Sequence, residues 1–159
     1  TAPDPLAWLL NFSWEEFDAF NRAALPEYLD LFAEDLDCAQ DLPLLVDGGL
    51  CNPAMLVQVV PASQVVCLAI PTLTSEAVWE SDQERRAMKE MIYQLPDGER
   101  LWQTFLRFDS GITNTLLSES RMCGIHDCTR SATEPVADFA ERVAQNLGIG
   151  TGRPNSSAS

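Results

Sequence analysis

Apolar residues recur at helical spacing in four stretches of the chain and form alternating or near-continuous runs in five others. Phe17, Phe20 and Ala24 predict a helix over 14–24. It opens on Ser13 and Glu16, a pair whose side chains can each take the other residue's free backbone N–H. Pro26 fits the first turn of a second helix over 26–37, striped by Leu29, Phe32 and Leu36. The same start signal, Ser81 with Glu84, precedes a helix over 82–94 that gathers Met88, Met91, Ile92 and Leu95 on one side. Ser131 with Glu134 precedes a last helix over 133–147, where Val136, Phe139, Val143 and Leu147 align and Gly148 is the stop.

The remaining runs read as strands. Residues 42–46 are a short apolar run ended by the turn Asp47-Gly48-Gly49. Residues 55–60 and 65–70 are rich in β-branched side chains and separated by Pro61-Ala62-Ser63, which predicts a hairpin closed by Pro71. After Pro96-Asp97-Gly98, residues 101–109 alternate, with Trp102, Thr104, Leu106 and Phe108 on one face. Ser110-Gly111 then predicts a turn into a returning strand over 113–122. The expected architecture is α+β: an antiparallel sheet of about five strands packed with three main helices, in the order α-β-β-β-α-β-β-α. Residues 1–12 read as an N-terminal extension, 13–147 as a single domain, and 148–159 as a flexible tail.

Composition narrows what such a domain does. The chain has 159 residues, 46% of them hydrophobic, which suits one buried core and excludes a disordered acidic tail. Its formal net charge is −14, and the charge is unevenly placed. Residues 1–82 hold 14 acidic side chains and one basic one, Arg22, whereas residues 83–159 hold 10 acidic and nine basic. Lys and Arg are what displace counterions from phosphate backbones and anionic lipid, so neither nucleic acid nor a membrane surface is an expected partner. No run approaches the roughly 18 apolar residues of a membrane span. The short apolar run near the N-terminus lacks a basic lead, so no secretory signal is expected there. Five cysteines, an odd number without dense spacing, fit the reducing cytoplasm.

Candidate chemistry is sparse. His126 is the single histidine, and the segment Cys123 to Cys128 offers three potential ligands within six residues. A structural zinc site needs four ligands, and Cys38, Cys51 and Cys67 lie in unrelated segments. The reading is therefore a loop with unpaired thiols, with no metal and no cofactor; a Cys–His nucleophile is the lesser alternative. Asp47-Gly48-Gly49 lacks phosphate-loop spacing, and the glycines after Gly148 follow a helix, not a strand. No catalytic residue is expected, and the chain reads as a binding protein, not an enzyme. Seven of its 13 aromatic residues (Trp8, Phe12, Trp14, Phe17, Phe20, Tyr28 and Phe32) fall in the first 32 positions, beside most of the net charge. They are either the core under the first helix or, in part, an apolar groove with an acidic rim for a partner segment.

Element order and local pattern together resemble the class I type III secretion chaperones, the Tir-chaperone-like family. The resemblance rests on Leu45-Val46-Asp47-Gly48, on residues 65–73 leading to the middle helix, and on Phe105 to Asp109 with Ser110-Gly111 and Leu116-Leu117-Ser118. The closing helix from Pro135 to Ala140 also looks similar. The resemblance implies a cytoplasmic homodimer that keeps the extended N-terminal segment of a secreted effector protein export-competent. It places the effector on Trp14, Phe17, Phe20, Val57, Val59, Val66 and Leu68, and the dimer interface on Met88, Met91, Ile92, Trp102 and Phe105. The split of the first helical region at Pro26 and the turn at Cys51-Asn52-Pro53 depart from the family's pattern. The alternative, motivated by the acidic first half, is an inhibitor of a basic partner: a toxin-immunity protein or a nucleic-acid mimic.

Overall fold

The computed structural model describes residues 4–39, 45–48, 51–70, 73–81, 83–131 and 133–149. Helix α1 (Pro5–Leu9) begins where the Asp4 carboxylate accepts from the N–H groups of Leu6 and Ala7, at 2.9 and 3.1 Å. Helix α2 (Trp14–Ala39) begins on the expected capping box. Ser13 N–H donates to Glu16 Oε2 at 2.8 Å, and Glu16 N–H donates to Ser13 Oγ at 3.2 Å. A short α3 (Pro53–Leu56) and a 3-10 turn (Ala62–Gln64) lead to strand β1 (Val66–Ala69). Then come α4 (Ser75–Trp79), α5 (Gln83–Tyr93), the long α6 (Gly98–Met122), strand β2 (His126–Thr129) and α7 (Val136–Asn146).

The expected five-stranded antiparallel sheet is not there. Among the described residues the protein is mostly helical, and its sheet is a parallel pair with Val66 opposite His126 and Ala69 opposite Thr129. Parallel strands need a long crossover, which here is the whole of α4, α5 and α6. Among the described residues only 65–70 of the expected strands remains one, and its partner lies some sixty positions away in place of 55–60.

Each correction has a local cause. Residues 101–122 form one helix because Leu101, Phe105, Phe108 and Ile112 also recur at i, i+4, i+7 and i+11, and that period reaches the core. Gly111 is no turn. It lies inside α6 under the indole of Trp14, where an added Cβ would stand 2.5 Å from a ring carbon. Residues 55–60 are helix and turn because Pro53 starts a helix and the Glu119 carboxylate, at 3.1 Å, holds the N–H of Ala54. Pro26 sits within α2 without ending it: the stripe Phe17, Leu25 and Leu29 stays in phase on both sides and is buried. The run 42–46 lies largely outside the described residues; Leu45 and Val46 are exposed and irregular. Ser131 and Glu134 form no capping box, since Glu134 is bound by Arg142 and α7 starts after Pro135.

Helix α6 is the axis of the fold, touching α2, α3, α4, α5 and both strands. Its Leu101, Trp102, Leu106 and Phe108 meet Leu10, Phe17 and Ile92 in one core. Leu10 brings the N-terminal segment into that core, so residues 4–12 pack against the domain they precede. Phe17 stacks on Phe108 with ring centres 4.2 Å apart, which sets α2 against α6. At its far end α6 stops on Gly124, whose φ of 72° suits a residue without Cβ. There Ile125 N–H reaches back to the Ser120 carbonyl at 2.9 Å, and the chain turns into β2.

Candidate partner-binding surface

Helix α2 carries two apolar stripes. Positions 17, 25, 29 and 32 share one side and pack inward. Positions 20, 28 and 31 lie roughly a quarter-turn away, and there Phe20, Tyr28 and Leu31 are exposed, the last two by 63% and 60%. Helix α1 extends this second stripe. Trp8 meets Phe12 and Phe20 edge to face, at 4.6 and 5.9 Å between ring centres, and Phe12 meets Phe20 at 6.1 Å. Four aromatic side chains and a leucine thus lie on one side of α1 and α2, with Glu16, Glu27 and Glu34 running beside them at helical spacing.

The electrostatics of α2 are one-sided. It holds eight carboxylates and a single base, Arg22. Arg22 is engaged inward: Nε binds Asp18 at 2.8 Å and Nη2 binds Glu119 at 2.7 Å. These bonds raise the guanidinium's pKa above its ordinary value, the Asp18 bond first and the Glu119 bond second. Glu119 is buried and also accepts from Ala54, so one carboxylate ties α2, α3 and α6 together. Asn52 Nδ2 lies 3.4 Å from Asp18 Oδ1 in the same cluster. Burial, and then the Asp18 charge, push the neighbouring Cys51 thiol's pKa up, which favours an unreactive protonated sulfur.

The residues singled out from sequence for a partner are dispersed. Phe17 is core, Trp14 is half-buried against α6, and Phe20 is exposed in the aromatic group. Val57 is half-buried and Val59 exposed after α3; Val66 is half-buried and Leu68 exposed on β1. Of the residues expected at a dimer interface, Ile92 and Trp102 are closed inside the core, at 0% and 1% exposure. Met88 and Phe105 pack against that core, and Met91 alone of the five is exposed. The set implied by the family resemblance leaves out Trp8, Phe12 and Tyr28, which the clustering of aromatics marks as groove candidates, and Leu31, which nothing in the sequence singles out. The spacing of positions 20, 28 and 31 marks a second stripe on the helix but not that it is the exposed one.

Other candidate chemistry stays apart. An open cleft of about 480 Å³ beside α6 offers the Trp14 indole, the amides of Gln103 and Asn114, and Arg107. Among the described residues no group of three His, Cys, Asp or Glu side chains is placed to hold a metal ion. Cys123 caps α6, His126 is exposed, and Cys128 is buried with its sulfur 3.0 Å from Asn146 Nδ2. No helix among the described residues is long and apolar enough to cross a membrane. No family model, curated protein or solved structure matches this chain.

Proposed function

We propose that this protein is a binding module, without catalysis of its own, that seats a basic amphipathic segment of a partner protein along α2. The observation that supports it most is the second apolar stripe of α2, exposed and flanked by carboxylates, with the helix's one basic residue, Arg22, already engaged. A helix laid along such a stripe presents apolar side chains at i, i+3, i+4 and i+7. Basic side chains at its margins then meet the acidic flank, which speeds encounter and sets orientation. The exported segment of an effector belongs to this class of occupant, as does a basic protein held inactive. The sheet on which the chaperone resemblance placed its effector is absent, so the reading stands on α1 and α2 alone.

The test is a titration of a fluorescent amphipathic Leu/Lys peptide, with a scrambled peptide of equal charge beside it. The reading expects the ordered peptide to bind at least about tenfold more tightly. Tyr28→Lys with Leu31→Lys should remove that preference. Equal binding of both peptides would reduce the surface to bulk charge and sink the proposal.

A further inference from the structure

No charged side chain occurs between Asp47 and Glu76. In a chain of formal net charge −14, this stretch brings no like charge of its own against a second copy. It contains β1, and it supplies the exposed Val59, Leu68, Ile70 and Leu73. The backbone of β1 shows which way the strand is open. Arg130 N–H donates to the Ala69 carbonyl at 3.1 Å, so Ala69, and Cys67 two residues before it, direct their backbone groups at β2. Val66 and Leu68 alternate with them and direct theirs to the outer edge. Among the described residues, no other segment bonds to those groups. The opposite edge of the sheet is closed differently: Arg142 Nη2 donates to the Thr129 carbonyl at 2.7 Å.

We propose that the outer edge of β1 is a self-association surface. Two copies pair their β1 strands antiparallel across a two-fold axis, giving a four-stranded sheet ordered β2-β1-β1-β2. A two-fold interface brings the same patch to itself, which suits an uncharged strand and disfavours the acidic face of α2. The outward N–H and C=O groups of Val66 and Leu68 gain partners, and Leu68 and Ile70, 55% and 41% exposed, gain cover. This surface is distinct from the Met88/Met91 helix face and owes nothing to partner binding on α2.

Sedimentation equilibrium on the full chain tests it, across the micromolar range and at low and high salt. The proposal expects a monomer–dimer equilibrium that tightens with salt, as repulsion between the acidic bodies is screened. Leu68→Lys should weaken association about tenfold or more, since two like charges then meet across the axis. General repulsion predicts the reverse, because the substitution makes the chain less negative. Val136→Lys, on the exposed α7 surface, adds the same charge elsewhere and should not weaken association. Amide exchange at Val66 and Leu68 should slow as concentration rises. A monomer at every concentration and salt overturns the proposal. So does a dimer that tolerates Leu68→Lys and leaves those two amides unprotected.

Discussion

Gly111 gives a test of helix α6 in which one substitution should change sign with its background. At an exposed helix interior, Gly→Ala stabilises by about 0.5–1 kcal/mol, because glycine loses more backbone freedom on folding. At Gly111 the new methyl would stand 2.5–2.7 Å from three carbons of the Trp14 ring, well inside contact distance. The indole is not free to swing: it lies against Phe17 and Phe108, with ring centres 5.9 and 6.4 Å away. Crowding of this kind costs about 1–3 kcal/mol, so Gly111→Ala should lower stability by about 1 kcal/mol. In a Trp14→Ala background the obstacle is gone and the same substitution should raise stability by about 0.5–1 kcal/mol. The implied coupling, about 2 kcal/mol, is within what contacting residues show. Urea unfolding followed by far-UV circular dichroism on the four proteins of the cycle measures it. If the two substitutions are additive, Trp14 does not lie on Gly111. If Gly111→Ala destabilises equally in both backgrounds, the glycine serves a turn and α6 is interrupted there.

Glu119→Ala should cost about 2 kcal/mol in the same unfolding assay, since it strips a buried acceptor from Ala54 and Arg22. The figure is kept low because the Arg22 side chain is 38% exposed and keeps Asp18; a loss under about 0.5 kcal/mol would argue against the tie between α2, α3 and α6. Thiol titration with Ellman's reagent should modify the exposed Cys38 first and leave buried Cys67 and Cys128 until unfolding; early loss of either buried thiol would contradict the packing around the strands. Because the folded state raises the Cys51 pKa, its contribution to stability is whole below the ordinary thiol value of about 9.0 and falls as pH climbs past it. Cys51→Ser should flatten that alkaline decline, and an unchanged slope would refute the assignment.

What the sequence showed clearly was local chemistry. The capping box at Ser13 and Glu16, the limits of α5 and the glycine stop after α7 all depend on neighbours within a turn of helix. The bonds between Ser13 and Glu16 and the turn at Gly148 are present as expected, and α5 runs within a residue of its expected limits, whereas the Ser81 hydroxyl donates to the Val78 carbonyl and α7 starts later. The long helix α6 was hidden by a coincidence of periods: Trp102, Thr104, Leu106 and Phe108 satisfy a strand's alternation, while Leu101, Phe105, Phe108 and Ile112 satisfy a helix. Ser110-Gly111 tipped the reading toward a hairpin, and only the long-range contact with Trp14 reveals why that glycine is there. The pairing of β1 with β2 was beyond any local signal, because a parallel register is set by the elements folded between the strands. On α2, burial of one stripe and exposure of the other depend on where α6 lies, which no periodicity within α2 encodes.

The cost of α2 supports a binding role for it. The helix holds Pro26 in its interior, which removes a backbone bond and costs about 3 kcal/mol. It also sets like charges within reach of one another at Glu27–Asp30, Asp30–Glu34 and Glu34–Asp37, each pair unfavourable by a few tenths of a kcal/mol. The buried stripe of Phe17, Leu25 and Leu29 opposes these terms, and each of those side chains stabilises by about 1.5–3 kcal/mol when fully covered. Folding therefore accounts for the inward face of the helix but for neither the crowded carboxylates nor the exposed stripe beside them. A basic segment laid along that side would relieve the repulsion and cover Phe20, Tyr28 and Leu31 together. Its binding free energy would add directly to the stability of the fold that displays it.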